Sequence, residues 1–227
     1  MNKLKFGVVF FFFLLVQTSY GQRWGLDPTL SFLKGQKDLK IEFLYDSMTV
    51  TTCIDGLGFY IETKTEFIKE KKDKFNQQTA GKGDKWADEW YSARKIYFEP
   101  LFEKKFKGKL QKKGINADRQ NNGAKYTIIV KTTGVVFGKI VPKTIGSFNN
   151  FSKNSRGTKS CTYCDYFITI VDTKDHSQVL ARGSAKLLYG RHIPVFSLHK
   201  FRAILLKDCY EKAGSKFGRS AIKALSK

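Results

Sequence analysis

From residue 86 to residue 101 the sequence sets Trp86, Trp90, Ala93, Tyr97 and Leu101 at steps of four, three, four and four. That spacing lines one face of an α-helix and no face of a strand. A helix with two tryptophans on one side must lie against another apolar surface, and the flanking segments supply it. "LKIEFLYDSMTV" alternates Leu39, Ile41, Phe43 and Tyr45 with Lys40, Glu42 and Asp46, the period of a half-buried strand. "AKYTIIVKTTGVVFG" is rich in β-branched residues, with Gly134 placed for a bulge. "YCDYFITIVDTKDHSQVLARGSAKLLYG" reads as a hairpin, with Tyr166, Ile168 and Ile170 alternating on one arm and "DTKDHS" as its turn. Residues 58 to 76 read as a helix with a basic face, and a last helix over 197 to 225 buries Leu206, Tyr210, Ala213, Phe217, Ala221 and Ala224. This order predicts an α+β fold: a small, mainly antiparallel sheet of about four strands with helices packed on one face.

"GKGDKWADEW", residues 81 to 90, has the look of a phosphate-cradling loop. A P-loop needs glycine, four residues and then Gly-Lys-Ser or Gly-Lys-Thr, and that spacing is absent here. A carboxylate at Asp84 would also repel the phosphate from the free amides. The stretch therefore reads as a helix start, with Asp84 as its N-cap and the glycines turning the chain ahead of it. Pro100 is expected to break or kink this helix, and residues 114 to 124 read as a loop.

At the N-terminus, Lys3 and Lys5 precede an apolar run from Phe6 to Val16, then Ser19 and Gly21 at cleavage spacing. This is the pattern of a secretory signal peptide, too short for a spanning helix of roughly 20 apolar residues. Cleavage near Gly21 is expected, leaving residues 22 to 227 as one exported domain in the periplasm or outer envelope. The polar stretch from about 142 to 165 reads as an exposed insertion within it. The formal charge is +21, or +19 without Lys3 and Lys5. In a cytoplasmic chain that excess would point to nucleic acid. In an exported chain the polyanions at hand are lipid head groups, lipopolysaccharide and other envelope polymers, and no nucleic-acid partner is expected. The anion-binding candidates are Lys69, Lys71, Lys72 and Lys74 in one stretch, with Lys104, Lys105, Lys107, Lys109, Lys112 and Lys113 in another.

Four cysteines in an exported chain favour disulfides, and three pairings exist. The expected pairs are Cys161 with Cys164, provided "CTYC" turns, and Cys53 with Cys209; the alternative leaves Cys53 and Cys209 as separate buried thiols. Cys161 and Cys164 precede a strand rather than opening a helix, which disfavours thioredoxin-type chemistry. A zinc site could draw on Cys161 and Cys164 with Cys209, His199 or His192, but a second close ligand pair is missing. His176, Asp172 and Asp175 belong to a turn. Glu99 and Glu103 lie one helical turn apart and are expected to face solvent. Nothing in the chain specifies a cofactor, a metal or a catalytic group.

"LKIEFLYDSMTV", "GKGDKWADEWYSARKIYFEPLFEKKF" and "AKYTIIVKTT" together resemble a group of exported proteins of Gram-negative bacteria that carry no assigned activity. The resemblance spans much of residues 33 to 135 and implies an envelope location and a compact α+β domain. It transfers no catalytic residue and does not reach the insertion at 142 to 165. The combined expectation is a non-enzymatic binding domain for an anionic envelope component or a protein partner, with peripheral membrane contact. The alternatives are a metal- or thiol-dependent protein centred on Cys161 and Cys164, and a structural subunit of an envelope assembly.

Overall fold

A computed structural model describes residues 25–26, 30–54, 58–138, 159–189, 193–194 and 198–226, with side chains over 30–52, 60–137, 162–186, 188 and 206–226. The expected signal peptide and most of the 142–165 insertion lie outside these residues. The strands are β1 (Gly25–Leu26), β2 (Asp38–Leu44), β3 (Thr49–Ile54), β4 (Gly58–Thr63), β5 (Asn116–Asp118), β6 (Tyr126–Gly138), β7 (Lys159–Asp172), β8 (Val179–Tyr189) and β9 (Ile193–Pro194). The helices are α1 (Lys64–Gln78), α2 (Lys82–Ala93), α3 (Glu99–Leu110) and α4 (Leu198–Leu225).

The α+β class holds, but the sheet is larger than expected and mixed. Among the described residues it has nine strands, of which β1 and β9 are two residues long. Its centre is β6, which runs antiparallel to β7 from Tyr126 opposite Asp172 to Gly138 opposite Cys161. On its other edge β6 takes two parallel partners in succession, Lys40–Leu44 of β2 and then Thr49–Thr52 of β3. Between them Tyr45–Met48 pass only Thr132 and Thr133, so the paired edge is broken at that point. The expected bulge at Gly134 is where β6 also slips register against β7. Parallel pairing follows from the connection, because helices α1 to α3 intervene between β2 and β6 and carry the chain back to the same end of the sheet.

The segment 58–76 is not a single helix. "GFYIET" is β4, hairpin partner of β3, as its aromatic and β-branched content favours. Helix α1 begins only after Thr63, whose hydroxyl accepts from the Glu66 amide while the Glu66 carboxylate accepts from the Thr63 amide. This capping box, Thr-x-x-Glu, was present in the sequence. Within 114 to 124, residues 116–118 form the short strand β5, parallel to β2.

Helix α2 starts one turn earlier than expected. Its N-cap is Gly81 at φ 76°, and Asp84 lies inside the first turn without capping it. Asp84 instead binds Lys72 at 2.6 Å and Asn76 at 3.0 Å, tying α2 back to α1. Gly83 makes that approach possible, since a Cβ there would overlap the Lys72 carbonyl oxygen. Ahead of Pro100 the helix does not break; it widens into a π-turn at Arg94–Phe98, closed by the Glu99 amide on the Arg94 carbonyl. The extra residue rotates the apolar face by one position. Trp90 and Ala93 are buried as expected, with Trp86 packed beside them, but from the end of the turn onward Phe98, Phe102, Phe106 and Leu110 face the core while Tyr97, within the turn, is half exposed.

Helix α4 lies against this phenylalanine ridge and against β7. Leu206, Tyr210, Ala213, Phe217 and Ala221 are buried and Ala224 packs at the edge, as the spacing predicts. At Gly214 the two helices nearly touch, since a Cβ would overlap the Phe102 carbonyl of α3. Gly108 has open space at the same position of its own residue. Gly214→Ala is therefore expected to destabilise the fold by about 1–3 kcal/mol, whereas Gly108→Ala stabilises it by roughly 0.5–1 kcal/mol. Urea denaturation of the two variants checks both signs.

Candidate anion-binding cleft

The ten candidate lysines fall on two separate parts of the helical layer. Lys69, Lys71, Lys72 and Lys74 are on α1, and the other six are on α3 and the single turn Gln111–Lys113 that follows it. Four of them are already paired with carboxylates: Lys71 with Glu70, Lys72 with Asp84, Lys105 with Glu211 and Lys107 with Asp118. Such exposed pairs neutralise charge and add little stability. The two stretches therefore offer less free charge than their composition implies.

A concave site lies elsewhere, along α4. Lys105, Leu188, Asp208, Glu211, Lys212, Ser215, Lys216 and Arg219 line an open cleft of about 470 Å³, within the size range of small-ligand sites. Lys105 is the one candidate lysine that lines it. On α4 the cations Lys212, Lys216 and Arg219 follow one another at four and three residues, so they share a face. The opposite face carries Ala213, Phe217 and Ala221 into the core. Arg219 is held in place through Ser215, donating from Nη2 to Oγ at 3.2 Å and from Nε to the carbonyl at 3.4 Å. Lys105 bridges to Glu211 at 2.8 Å across the α3/α4 seam. Partial burial lowers the pKa of Lys216, and repulsion from Arg219 and Lys212 lowers it further. The cleft thus holds more positive charge than its own carboxylates offset. The KxxxKxxR spacing was visible in the sequence, but there the charges are interleaved with core residues and form no run.

The expected cysteine pairs are not formed. "CTYC" is straight strand, with Cys161 opposite Gly138 and Cys164 opposite Val135, and residues three apart on a strand project to opposite faces. Cys164 and Cys209 are both free and buried, the state foreseen for Cys209 as a separate thiol. The side chains of Cys53, Cys161, His192 and His199 lie outside the described residues. Among the described residues no group of three His, Cys, Asp or Glu side chains is placed to hold a metal ion, and no helix is long and apolar enough to cross a membrane.

Glu99 and Glu103 do not face solvent as expected. Arg119 donates to Glu99 at 2.8 Å and to Glu103 at 2.7 Å, and the Tyr45 hydroxyl donates to Glu99 at 3.2 Å. Burial disfavours charge on Arg119, yet Glu103 and Glu99 outweigh it and raise its pKa. Above them Arg94 lies over the Tyr45 ring at 4.4 Å. These acids are a structural clamp at the break between β2 and β3. Asp172 and Asp175 accept from the Lys174 and Ser177 amides, the turn-building role assigned to them. Trp86 and Trp90 pack with Phe67, Phe75 and Phe137, so the aromatic stripe is core rather than a binding groove.

No family model matches this sequence, and no curated protein matches it. Solved structures with a partial likeness to this chain include a protein of family DUF330 from Xanthomonas campestris, 8% identical, with a TM-score of 0.38 over 91% of this chain and 95% of that one. The PelC dodecamer from Paraburkholderia phytofirmans is 8% identical, with a TM-score of 0.33 over 87% and 98%. A neuraminyllactose-binding hemagglutinin homolog from Helicobacter pylori is 12% identical, with a TM-score of 0.32 over 86% and 91%. All three come from Gram-negative bacteria, and likeness at this level carries no functional argument.

The lowered pKa of Lys216 has a sign that can be measured. Between its folded and unfolded pKa values the unfolded chain holds more protons, so stability rises with pH across that window. Lys216→Met is expected to be slightly more stable than the natural protein at pH 7, by roughly 0.5 kcal/mol or less. The difference should close as pH rises from the folded Lys216 pKa to its unfolded value, read as denaturation midpoints from neutral to alkaline pH.

Proposed function

We propose that this protein is a non-enzymatic, exported domain that binds an anionic component of the cell envelope, and that its contact is the α4 cleft rather than the lysine-rich stretches. The observation that carries this reading is the crowding of Lys212, Lys216 and Arg219 on one concave face. An anionic head group there would offset the repulsion from Arg219 and Lys212 that, after burial, depresses Lys216, and the Ser215 hydroxyl and the Arg219 guanidinium would supply directed hydrogen bonds. The volume suits a head group rather than a whole polymer. Leu188 on the wall offers an apolar edge to whatever is joined to that head group.

The test is co-sedimentation with vesicles of phosphatidylglycerol in phosphatidylcholine, against phosphatidylcholine alone. Binding should need the anionic lipid and fall steeply between about 50 and 500 mM salt. Lys212→Glu with Arg219→Glu should weaken it at least tenfold, since each cation near an anionic surface contributes about 1 kcal/mol. Lys69→Glu with Lys74→Glu should have a much smaller effect. Salt-insensitive binding, or a larger loss from the second pair of substitutions, contradicts the assignment.

A further inference from the structure

Cys164 and Cys209 are unused by the cleft, yet the fold brings them together. Cys164 is on the face of β7 that carries Tyr166 and Ile168 into the core, and Cys209 precedes Tyr210 on α4. The Tyr166 and Tyr210 rings meet edge to face at 5.2 Å, fixing strand and helix side by side next to the two sulfurs. The Cys209 thiol donates to the Thr162 carbonyl at 3.5 Å, two residues from Cys164 on the same strand. Thr162 and Tyr166, the residues two before and two after Cys164 on that strand, thus contact Cys209 and Tyr210 of the helix, and Cys164 lies between them. Cys164 is 1% and Cys209 0% exposed. Burial pushes the Cys209 pKa well up, with Cys164 adding to it, so the folded Cys209 is poor in thiolate and unsuited to nucleophilic catalysis.

We propose that Cys164 and Cys209 form a structural disulfide that staples α4 to β7, a different pairing from those the sequence pointed to. The bond is made before α4 docks, by exchange with a disulfide donor of the glutathione or protein-disulfide class. One cysteine loses its proton and attacks a donor sulfur, expelling a donor thiolate and leaving a mixed disulfide. The second cysteine, deprotonated in turn, attacks the protein sulfur of that mixed disulfide and expels the second donor thiolate. The two donor thiolates take up the two protons, so the protein is oxidised by two electrons and the donor is reduced to two thiols. Once α4 has docked, neither sulfur is open to a donor, and the same reaction becomes slow.

The experiment uses the full chain with Cys53→Ser and Cys161→Ser, refolded from denaturant with glutathione disulfide. The expected product is lighter than the reduced chain by two hydrogens, with one linked peptide pair containing Cys164 and Cys209. The chain folded first in reductant and then exposed to the same donor should react at least tenfold more slowly. Two free thiols after refolding, or a glutathione adduct that never resolves, overturns the proposal. Should the variant fail to fold, peptide mapping of the natural chain under the same conditions decides. A Cys164–Cys209 link then supports the staple, and any other link to either residue, or none, overturns it.

Discussion

Proline at position 100 has no amide hydrogen, so in an unbroken α-helix the carbonyl four residues earlier, at Ile96, would lose its partner and clash with the proline ring. The chain answers by widening one turn at Arg94–Phe98 rather than by ending the helix. That single additional residue rotates everything beyond it. Phe98, Phe102, Phe106 and Leu110 turn inward and become the surface on which α4 lies, with Phe98 stacked on Tyr210 at 5.2 Å. Glu99 and Glu103 turn toward Arg119 and away from open solvent.

The cleft is a consequence of that packing. Helix α4 can approach α3 closely only because Gly214 has no side chain to meet the Phe102 carbonyl. The approach brings Lys105 of α3 beside Glu211 and leaves the polar face of α4 as one wall, with Leu188 of β8 among the lining residues. Core side chains fix the rotation of α4, so Lys212, Lys216 and Arg219 are held on one side whether or not that suits their mutual repulsion. Apolar packing on the opposite face thus holds these like charges side by side. On the proposed function, such a site is present before its ligand arrives.

Much of this architecture was legible from periodicity alone. The alternation around Leu39–Tyr45, the hairpin after Tyr166, the bulge at Gly134 and the core face of α4 each depend on local spacing, which the sequence carries directly. The phase shift at Arg94–Phe98 was not legible, because an uninterrupted stripe through Tyr97 and Leu101 is equally regular on paper. Proline at position 100 signalled a disturbance but not its form. The second parallel partner of β6 depends on how the chain returns after three helices, which local pattern does not encode. Runs of lysine drew attention to α1 and α3, although neighbouring carboxylates neutralise Lys71, Lys72, Lys105 and Lys107. The cations of the cleft are diluted by core residues and become a cluster only when the helix forms.

The anion site proposed for this protein is a preformed cleft on α4. The most direct measurement is a two-dimensional amide NMR titration of the isotope-labelled protein with inorganic pyrophosphate. A preformed site on α4 gives saturable shifts confined to Lys105, Leu188 and residues 208 to 219, with the rest of the spectrum unmoved. Shifts spread over α1 and the 104–113 stretch without saturation, or no shifts at all, would contradict it.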